Sequence, residues 1–415
     1  MKIDKGTEAE IELANILSFP LLMDFVQLKP SCKEGKKDRE LCDLLVEMNL
    51  KAVAIELKTQ DKDKAKVERN DKNWAKKQLT KGARQINGAL RSLEENLIKA
   101  THPFRGEMIF QPNSLQPLYG LVIVDYDFEP FEIDKNLPRR SNVKKIPMHY
   151  FSYNDFIIIC QKLMTLPDLL DYLEHRSKVP AWATPNLNDE KNFYAYYLVN
   201  PNKISYDIQK EDYKDYWKKL EGEFLENYNQ KVFEDQKVKA FNEILNILST
   251  VEPINTGIEP KYVSTITQLD DPNRLEVTRI LNSVNRVYRR EFVTKMFEKI
   301  ENAEKKKSGW SYFALRTEDE NTFFLFLASK SKREDRKKEL EFLAHCLNTL
   351  TKARIIVGIA TEGKDVPDGR SFDFIYLEDF LEDYDPEFLK EARKYFKDIE
   401  FDVKYDFPKK SRIIL

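Results

Sequence analysis

The stretch RELCDLLVEMNLKAVAIELKTQ, residues 39–60, decides the fold class of this chain. It contains two short apolar runs, residues 41–46 and 52–58, separated by residues that are typical of a tight turn. Runs of this length that are rich in Val, Ile and Leu are typical of β-strands, and so short a separation favours a hairpin. We therefore predict two antiparallel strands joined by a two-residue turn at positions 49–50.

Three ionisable residues interrupt this apolar hairpin. Asp43 lies in the first predicted strand, and Glu56 and Lys58 lie in the second. Because side chains alternate between the faces of a strand, Glu56 and Lys58 share a face with the small residue Ala54. The two-residue turn places Asp43 directly opposite Glu56, with Cβ atoms about 5 Å apart. Like charges in that arrangement destabilise a hairpin, and a divalent cation held between them removes the conflict.

A simpler interpretation is that this face is solvated and that Lys58 neutralises Asp43 and Glu56. The neighbouring residues argue against it, because Leu41 and Leu45 share the face of Asp43. A face that carries these two leucines is not uniformly polar, and a charge buried on such a face needs a partner. A binding site is therefore the preferred interpretation.

A third carboxylate precedes the hairpin. Residues 6–18 have the pattern of a helix, in which Leu13, Ala14 and Leu17 follow Glu10 at three, four and seven residues. Residues at this spacing lie on one face of an α-helix. Glu10 is therefore expected on the inward, apolar face, where a carboxylate more often belongs to a site than to a solvated surface.

The elements after the hairpin predict an α/β layer fold. A long helix over residues 72–97, with Trp74, Ile86, Ala89 and Leu93 directed inward, is followed by the buried strand 118–127. The further predicted elements are a strand and two helices, at residues 145–152, 153–164 and 166–176. Helices that follow strands in this order pack on the faces of a mixed sheet.

The rest of the chain suggests a second α/β domain. We assign residues 1–178 to a first domain, 179–265 to a connecting and partly helical segment, and 266–415 to a C-terminal domain. Within the last, residues 310–378 repeat the order of strand pair, helix and strand that is predicted for residues 41–127. Two interpretations stay open, namely a degenerate copy of the first domain and an unrelated α/β domain.

Composition restricts the class of protein. The 415 residues are enough for two or three domains, a third of them are charged, and the formal net charge is −2. No apolar run approaches the length of a membrane span, and the first residues lack the apolar core of a signal peptide. The four cysteines are scattered without metal-ligand spacing, which favours free thiols in a reduced cytoplasmic compartment. No dinucleotide or P-loop motif indicates that the chain uses ATP.

The order Glu10, Asp43 and Glu56-Leu57-Lys58 resembles the PD-(D/E)XK nuclease superfamily, whose restriction-endonuclease-like fold is a mixed sheet flanked by helices. The hairpin resembles the central hairpin of that fold, with Glu-Leu-Lys as the E-x-K motif. The following helix resembles one that often carries a glutamine directed into the site, for which Gln78 and Gln85 are both candidates. The resemblance covers about residues 6–178, and residues 165–176 resemble a closing segment of bacterial defence-associated members.

The resemblance implies metal-dependent hydrolysis of phosphodiester bonds in DNA, by an anti-phage or restriction effector. It assigns Mg²⁺ or Mn²⁺ to Asp43, Glu56, the backbone carbonyl of Leu57 and Glu10, all of which offer the hard oxygen ligands these ions prefer. It assigns Lys58 to the attacking water or to the developing negative charge. In the C-terminal domain serines stand where an E-x-K motif would fall, so a second copy would bind, sense or dimerise rather than cleave.

A basic stretch flanks the predicted metal site and is expected to contact the backbone of double-stranded DNA. The residues assigned to this contact are Lys62, Lys76, Lys77, Lys81 and Arg84. The alternative interpretation is that this basic stretch is only a solvated loop and helix face. Further expected partners are a second copy of the chain or a sensor or ATPase protein. The alternative to a nuclease is a non-catalytic nucleic-acid-binding or scaffold subunit that retains the fold.

Overall fold

The structure is a computed structural model. It describes residues 8, 10–15, 25–34, 37–59, 71–102, 106–127, 129–200, 203–249, 271–317, 321–363, 370–378 and 386–396. The described residues up to Phe233 form one compact unit, and those from Glu234 onward form a second. None of the helices in these ranges combines the length and the apolarity that a membrane span requires.

The first unit is built on a five-stranded sheet with the order β1-β4-β5-β8-β9 and a four-stranded sheet with the order β3-β2-β6-β7. The strands are β1 Val26–Leu28, β2 Ser31–Glu34, β3 Lys37–Glu40, β4 Leu44–Met48, β5 Lys51–Lys58, β6 Ile98–His102, β7 Gly106–Phe110, β8 Gln116–Val124 and β9 Met148–Ser152. Strands β5, β8 and β9 run parallel, and β1 and β4 are antiparallel to their neighbours. The mixed α/β architecture is as predicted, whereas the four-stranded sheet was not anticipated.

The hairpin β4–β5 has the predicted register. Leu44 lies opposite Ile55, and the remaining pairs follow from a two-residue turn at positions 49–50. Both turn residues have positive φ values, 52° and 62°, which are typical of the type I′ turn that matches the twist of a hairpin. One detail differs from the prediction, because Asp43 precedes the first residue of β4 and so lies beyond the ladder rather than inside the strand.

The long helix α2, Asp71–Glu95, packs on the sheet face that carries Glu56. A Cβ atom at Gly82 would lie 2.4 Å from Val122 Cγ1, and one at Gly120 would lie 2.3 Å from Ile86 Cγ2. Val122 is the register partner of Glu56 in the parallel pair β5–β8. The contacts advance from Gly82 to Ile86 along the helix but go back from Val122 to Gly120 along β8. Helix α2 is therefore antiparallel to β8, and also to β5, which is parallel to β8. The helix therefore begins at the end of the sheet where β5 ends.

The opposite face of the sheet is covered by helices that continue past the predicted boundary at residue 178. The remaining helices of this unit are α1, residues 10–15, α3 Tyr153–Leu163, α4 Leu166–Lys178, α5 Glu190–Val199, α6 Lys210–Tyr213, α7 Tyr216–Glu221 and α8 Leu225–Ser249, which continues into the second unit. Arg176 of α4 forms a buried ion pair with Glu190 of α5, with 2.7 Å between Nε and Oε1. The segment after residue 178, which we predicted to be a connector, thus completes the core of the first unit up to Phe233.

The second unit contains a four-stranded sheet with the order β10-β11-β12-β13. Its elements are α9 Asp271–Asn282, α10 Arg286–Lys305, β10 Trp310–Arg316, β11 Thr322–Ser329, α11 Arg333–Thr351, β12 Ile355–Glu362, β13 Phe372–Glu378 and α12 Pro386–Tyr395. Two helices precede β10, because Asn285 caps a new helix by accepting a hydrogen bond from the Tyr288 N–H.

Strands β10, β11 and β12 with helix α11 repeat the order and strand directions of β4, β5, α2 and β8, as predicted for residues 310–378. The fourth strand differs, since β13 is antiparallel to β12 whereas β9 is parallel to β8. A second copy was expected to lack acidic metal ligands. Glu362 and Asp373 do lie at the end of the sheet where β11 and β12 end, but Arg336 pairs with them at 3.0 and 2.7 Å. Whether the unit is a degenerate copy stays a prediction.

Two glycines of α2 provide a test of the helix–sheet contact. A Cβ atom at Gly88 meets no atom within 4 Å, so Gly88→Ala should stabilise the protein by up to about 1 kcal/mol through helix propensity. Gly82→Ala forces the helix away from Val122 and should destabilise it by about 1–3 kcal/mol. Urea unfolding followed by circular dichroism measures both effects. Equal stabilisation by the two substitutions would contradict the close approach at Gly82.

Candidate functional site

The site forms where the β4–β5 ladder stops. The last register pair is Leu44 and Ile55, so the backbone N–H of Leu57 has no ladder partner on β4. Asp43 supplies one, because its Oδ2 atom accepts a hydrogen bond from the Leu57 N–H at 2.6 Å. A buried N–H without an acceptor is costly, and this bond therefore fixes the Asp43 carboxylate against the end of β5.

Lys58 joins the two carboxylates of the hairpin. Its Nζ atom lies 2.5 Å from Glu56 Oε2 and 3.4 Å from Asp43 Oδ2. The same ammonium group lies 3.3 Å from the backbone carbonyl oxygen of Leu57. The predicted convergence of Asp43, Glu56 and Lys58 is confirmed by these contacts, and they bring a peptide oxygen into the same cluster.

Burial makes the charges in this cluster costly. Asp43 is 7% exposed and Glu56 is 3% exposed. Desolvation, followed by repulsion from Asp43, raises the pKa of Glu56 to about 7, although Lys58 opposes the shift. Desolvation alone would lower the pKa of Lys58, but attraction to Glu56 and Asp43 outweighs it and the pKa rises. Lys58 therefore stays charged, while Glu56 titrates near neutral pH.

Two further carboxylates border the cluster. Glu10, on helix α1, forms an ion pair with Lys29 at 2.7 Å, and burial and Asp43 both raise its pKa. Glu40, at the end of β3, has its pKa raised by burial first and by Asp43 second. Glu10 was predicted at this position, whereas Glu40 was missed. Glu40 is surface-exposed and lies on a strand that the sequence pattern did not reveal, so no periodicity marked it.

The cluster carries more negative than positive charge. Its four carboxylates are Asp43, Glu56, Glu10 and Glu40, and its two ammonium groups are Lys29 and Lys58. When all six groups are ionised, they carry a net charge of −2, which a divalent cation would balance.

The oxygen atoms at the centre fit Mg²⁺ or Mn²⁺. The described residues contain no group of three or more His, Cys, Asp and Glu side chains arranged to hold a metal ion. The candidate ligands at the centre are instead two carboxylates, of Asp43 and Glu56, and the carbonyl of Leu57. Mg²⁺ is usually held by one or two carboxylates and keeps several waters, so this donor set suits it.

Gln78 and Gln85 both lie on the flank of α2 nearer to β4 and β5. Asn87 of the same helix contacts Met148 of β9, with 3.7 Å between Nδ2 and Sδ. Successive helix residues are about 100° apart, so Gln78 and Gln85 lie on the side opposite to Asn87. Neither glutamine hydrogen-bonds to the cluster in the described residues, and the Oε1 atom of Gln85 is buried without a partner there.

The basic residues assigned to DNA contact line the outer surface of α2. Lys76, Lys77, Lys81 and Arg84 are all exposed, and Lys62 lies outside the described residues. The helix begins at the sheet end that carries the cluster, so its first turns bring Lys76 and Lys77 nearest to it. The exposed face is thus one that a polyanion could reach.

Comparison with protein-family models, with curated proteins and with solved structures finds no match.

The raised pKa of Glu56 predicts a pH dependence of stability. A carboxyl group whose pKa is higher in the folded than in the unfolded state stabilises the fold fully below about pH 4.5, its ordinary value, and this contribution is lost as the pH rises through about 7. Glu56→Gln lacks the titrating group. Its unfolding free energy relative to the wild type should therefore increase between pH 5 and pH 8, measured by urea unfolding with EDTA present.

The exposed Glu95, at the end of α2, provides the matched control. Glu95→Gln changes the same functional group without burial, so its difference from the wild type should stay nearly constant over this pH range. A difference for Glu56→Gln that is equally constant would show that the Glu56 carboxyl is not destabilised by its surroundings.

Proposed function

We propose that this protein is a metal-dependent endonuclease that hydrolyses phosphodiester bonds of DNA. The observation that carries the proposal is the buried cluster of Asp43, Glu56 and Lys58 at the end of β5, with the Leu57 carbonyl beside it. Its residue types and their order along the chain resemble the PD-(D/E)XK superfamily. A role as an anti-phage or restriction effector follows from that resemblance alone, and the cytoplasm is the proposed compartment because the scattered cysteines suit a reduced environment.

Each group of the cluster has a role in this proposal. Asp43, Glu56 and the Leu57 carbonyl would hold Mg²⁺ or Mn²⁺, with Glu10 at the edge of the site. When bound, the metal lowers the pKa of a coordinated water and offsets charge on the phosphate oxygens. Lys58 stays protonated and would donate hydrogen bonds to the negative charge that develops on the phosphate. Gln78 or Gln85 orients the water or a neighbouring phosphate.

The charge balance of the cluster favours catalysis over a purely structural role. A structural ion pair is most stable when its charges cancel, because uncompensated charge is expensive in a desolvated site. Here the four carboxylates outnumber the two ammonium groups, and the pKa of Glu56 is raised. An active site that must bind a cation gains from this arrangement, since the cation relieves the repulsion on binding.

Double-stranded DNA is the proposed substrate because exposed cations of α2 lie beside the cluster. Lys and Arg side chains on one helix face contact a phosphate backbone without reading its sequence. The C-terminal unit, whose acidic groups Glu362 and Asp373 are bound to Arg336, is proposed to bind, sense or dimerise. A second copy of the chain or a sensor or ATPase protein is the proposed partner.

The central test is the loss of cleavage in Lys58→Ala. Supercoiled plasmid incubated with the protein and Mg²⁺ should be nicked or linearised, and EDTA should stop the reaction. Lys58→Ala should reduce the rate by on the order of 10²–10³ or more while Mg²⁺ binding, measured by calorimetry, is kept. Lys51→Ala is the matched control, because Lys51 is an exposed lysine at the other end of the same strand.

Two outcomes of that experiment would reject the proposal. Cleavage that persists in Lys58→Ala at the wild-type rate would come from a contaminating nuclease or from another site. The absence of cleavage on double-stranded DNA, single-stranded DNA and RNA, together with retained binding to one of them, would support the non-catalytic binding or scaffold subunit instead.

Asp43→Asn should act on the metal and not on the transition state. The neutral amide is a weaker ligand, so the Mg²⁺ concentration that gives half-maximal cleavage should rise by about tenfold or more. Mn²⁺ binds nitrogen and oxygen donors more strongly than Mg²⁺ and should partly restore the rate. Failure of both ions at any concentration, with an unchanged melting temperature, would indicate that Asp43 serves another role.

The basic face of α2 predicts a change in salt dependence. Replacing Lys76, Lys77 and Lys81 together by Gln should weaken DNA binding. The negative slope of log K against log salt should become shallower by about 0.9 for each phosphate that the protein no longer neutralises. A triple variant of other exposed lysines in the first unit, at Lys191, Lys214 and Lys218, serves as the control. An equal effect in both variants would mean that overall charge, and not this face, binds DNA.

A further inference from the structure

A second candidate site lies at the outer edge of the five-stranded sheet of the first unit. It is a cavity of about 320 Å³ lined by Arg139, Arg140, the first residues of β9, and the segment that follows α4. Strand β9 is parallel to β5, and the cavity is at its beginning, whereas the Asp43–Glu56–Lys58 cluster is at the end of β5. The two sites therefore lie at opposite ends of the sheet.

Arg139 and Arg140 bring positive charge to this cavity without a carboxylate to balance it. Arg139 is partly buried and donates a hydrogen bond from Nη1 to Thr184 Oγ1 at 2.7 Å. Arg140 donates one to the backbone carbonyl of Lys145 at 2.9 Å. Neither guanidinium forms an ion pair with any residue in the described ranges. Desolvation, with repulsion from Arg176 second, lowers the pKa of Arg139 to about 10.

His149 adds a buried donor to the same lining. It is 1% exposed, and its Nδ1 atom lies 3.2 Å from Nη1 of Arg176, which can only donate. Nδ1 is therefore the acceptor, and the proton of the neutral imidazole is on Nε2. That Nε2–H group has no hydrogen-bond partner in the described part of the chain. A buried donor without an acceptor is costly and indicates that a ligand supplies one.

His149 does not become a cation in this place. Desolvation first, and then the positive charges of Arg176, Arg139 and Arg140, hold its pKa well below the ordinary range. Arg176 is itself paired with Glu190, through Nε to Oε1 at 2.7 Å and Nη2 to Oε2 at 3.0 Å. The positive charge that lacks a carboxylate partner in the described residues belongs to Arg139 and Arg140.

We propose that this cavity binds the phosphoryl group of a small phosphorylated molecule. Two guanidinium groups and the imidazole N–H supply two positive charges and several donors, which suits a doubly charged phosphoryl group better than a singly charged carboxylate. The volume exceeds what a phosphate needs and falls within the usual range of small-molecule pockets. The additional space is bordered by Val179, Pro180 and Tyr206, which can contact an organic substituent.

The test is ligand-induced stabilisation of the full chain. Inorganic phosphate and AMP should each raise the melting temperature above that in chloride of equal ionic strength, and calorimetry should give a dissociation constant. Arg139→Gln should weaken phosphate binding by about tenfold or more, since it removes a charge-assisted hydrogen-bond donor. Without phosphate, the melting temperature of Arg139→Gln should fall below that of the wild type only by the amount that loss of the hydrogen bond to Thr184 explains.

Matched variants keep the test decisive. Arg140→Gln changes an exposed side chain and should also weaken phosphate binding even if Arg139→Gln folds poorly. Lys135→Gln removes the same charge from the same loop outside the lining and should leave the affinity within about twofold. The proposal is overturned if chloride stabilises equally, if Lys135→Gln loses as much affinity as the arginine variants, or if only a DNA duplex, and neither phosphate nor AMP, gives an effect that needs Arg139.

Discussion

The repulsion between Asp43 and Glu56 is the constraint on which the first unit depends. Both carboxylates are buried at the point where the β4–β5 ladder stops, and one of them also holds the Leu57 N–H. The ammonium group of Lys58 relieves only part of the repulsion, because Glu10 and Glu40 add further negative charge at the border. A domain that needed only a stable hairpin end would place an uncharged pair there. The retained imbalance is the strongest physical sign of a cation-binding role.

Acidic groups at the end of a sheet have different cationic partners in the two units. In the second unit Asp373 accepts hydrogen bonds from the side chains of Arg333 and Arg336, and Glu362 pairs with Arg336 as well. Arginine is always charged and forms several directional bonds, so these carboxylates are fully engaged. In the first unit the compensating groups are lysines, and the balance is incomplete. This contrast supports a ligand-binding role for the first cluster and a structural role for the second.

Close backbone packing sets the geometry around the first cluster. Gly82 allows α2 to approach Val122, the register partner of Glu56, and Gly120 receives Ile86 one turn further along the helix. The helix is thereby held over the end of β5, with its exposed lysines on the outer surface. Beside β9 a different contact sets the local chemistry: Arg176, which is buried and paired with Glu190, donates to Nδ1 of the neighbouring His149 and so fixes its tautomer.

The sequence by itself determined what depends on local periodicity. Alternation along residues 41–58 and a two-residue turn gave the register of β4 and β5, and hence the convergence of Asp43 and Glu56 at the end of the hairpin. Helical spacing gave α2 and the inward position of Glu10. Only the tertiary structure revealed Glu40, the ion pair of Arg176 with Glu190, and the unbalanced charges of Arg139 and Arg140. Those depend on contacts between residues far apart in the chain, and whether a charge is compensated is decided by its neighbours in space and not by its neighbours in sequence.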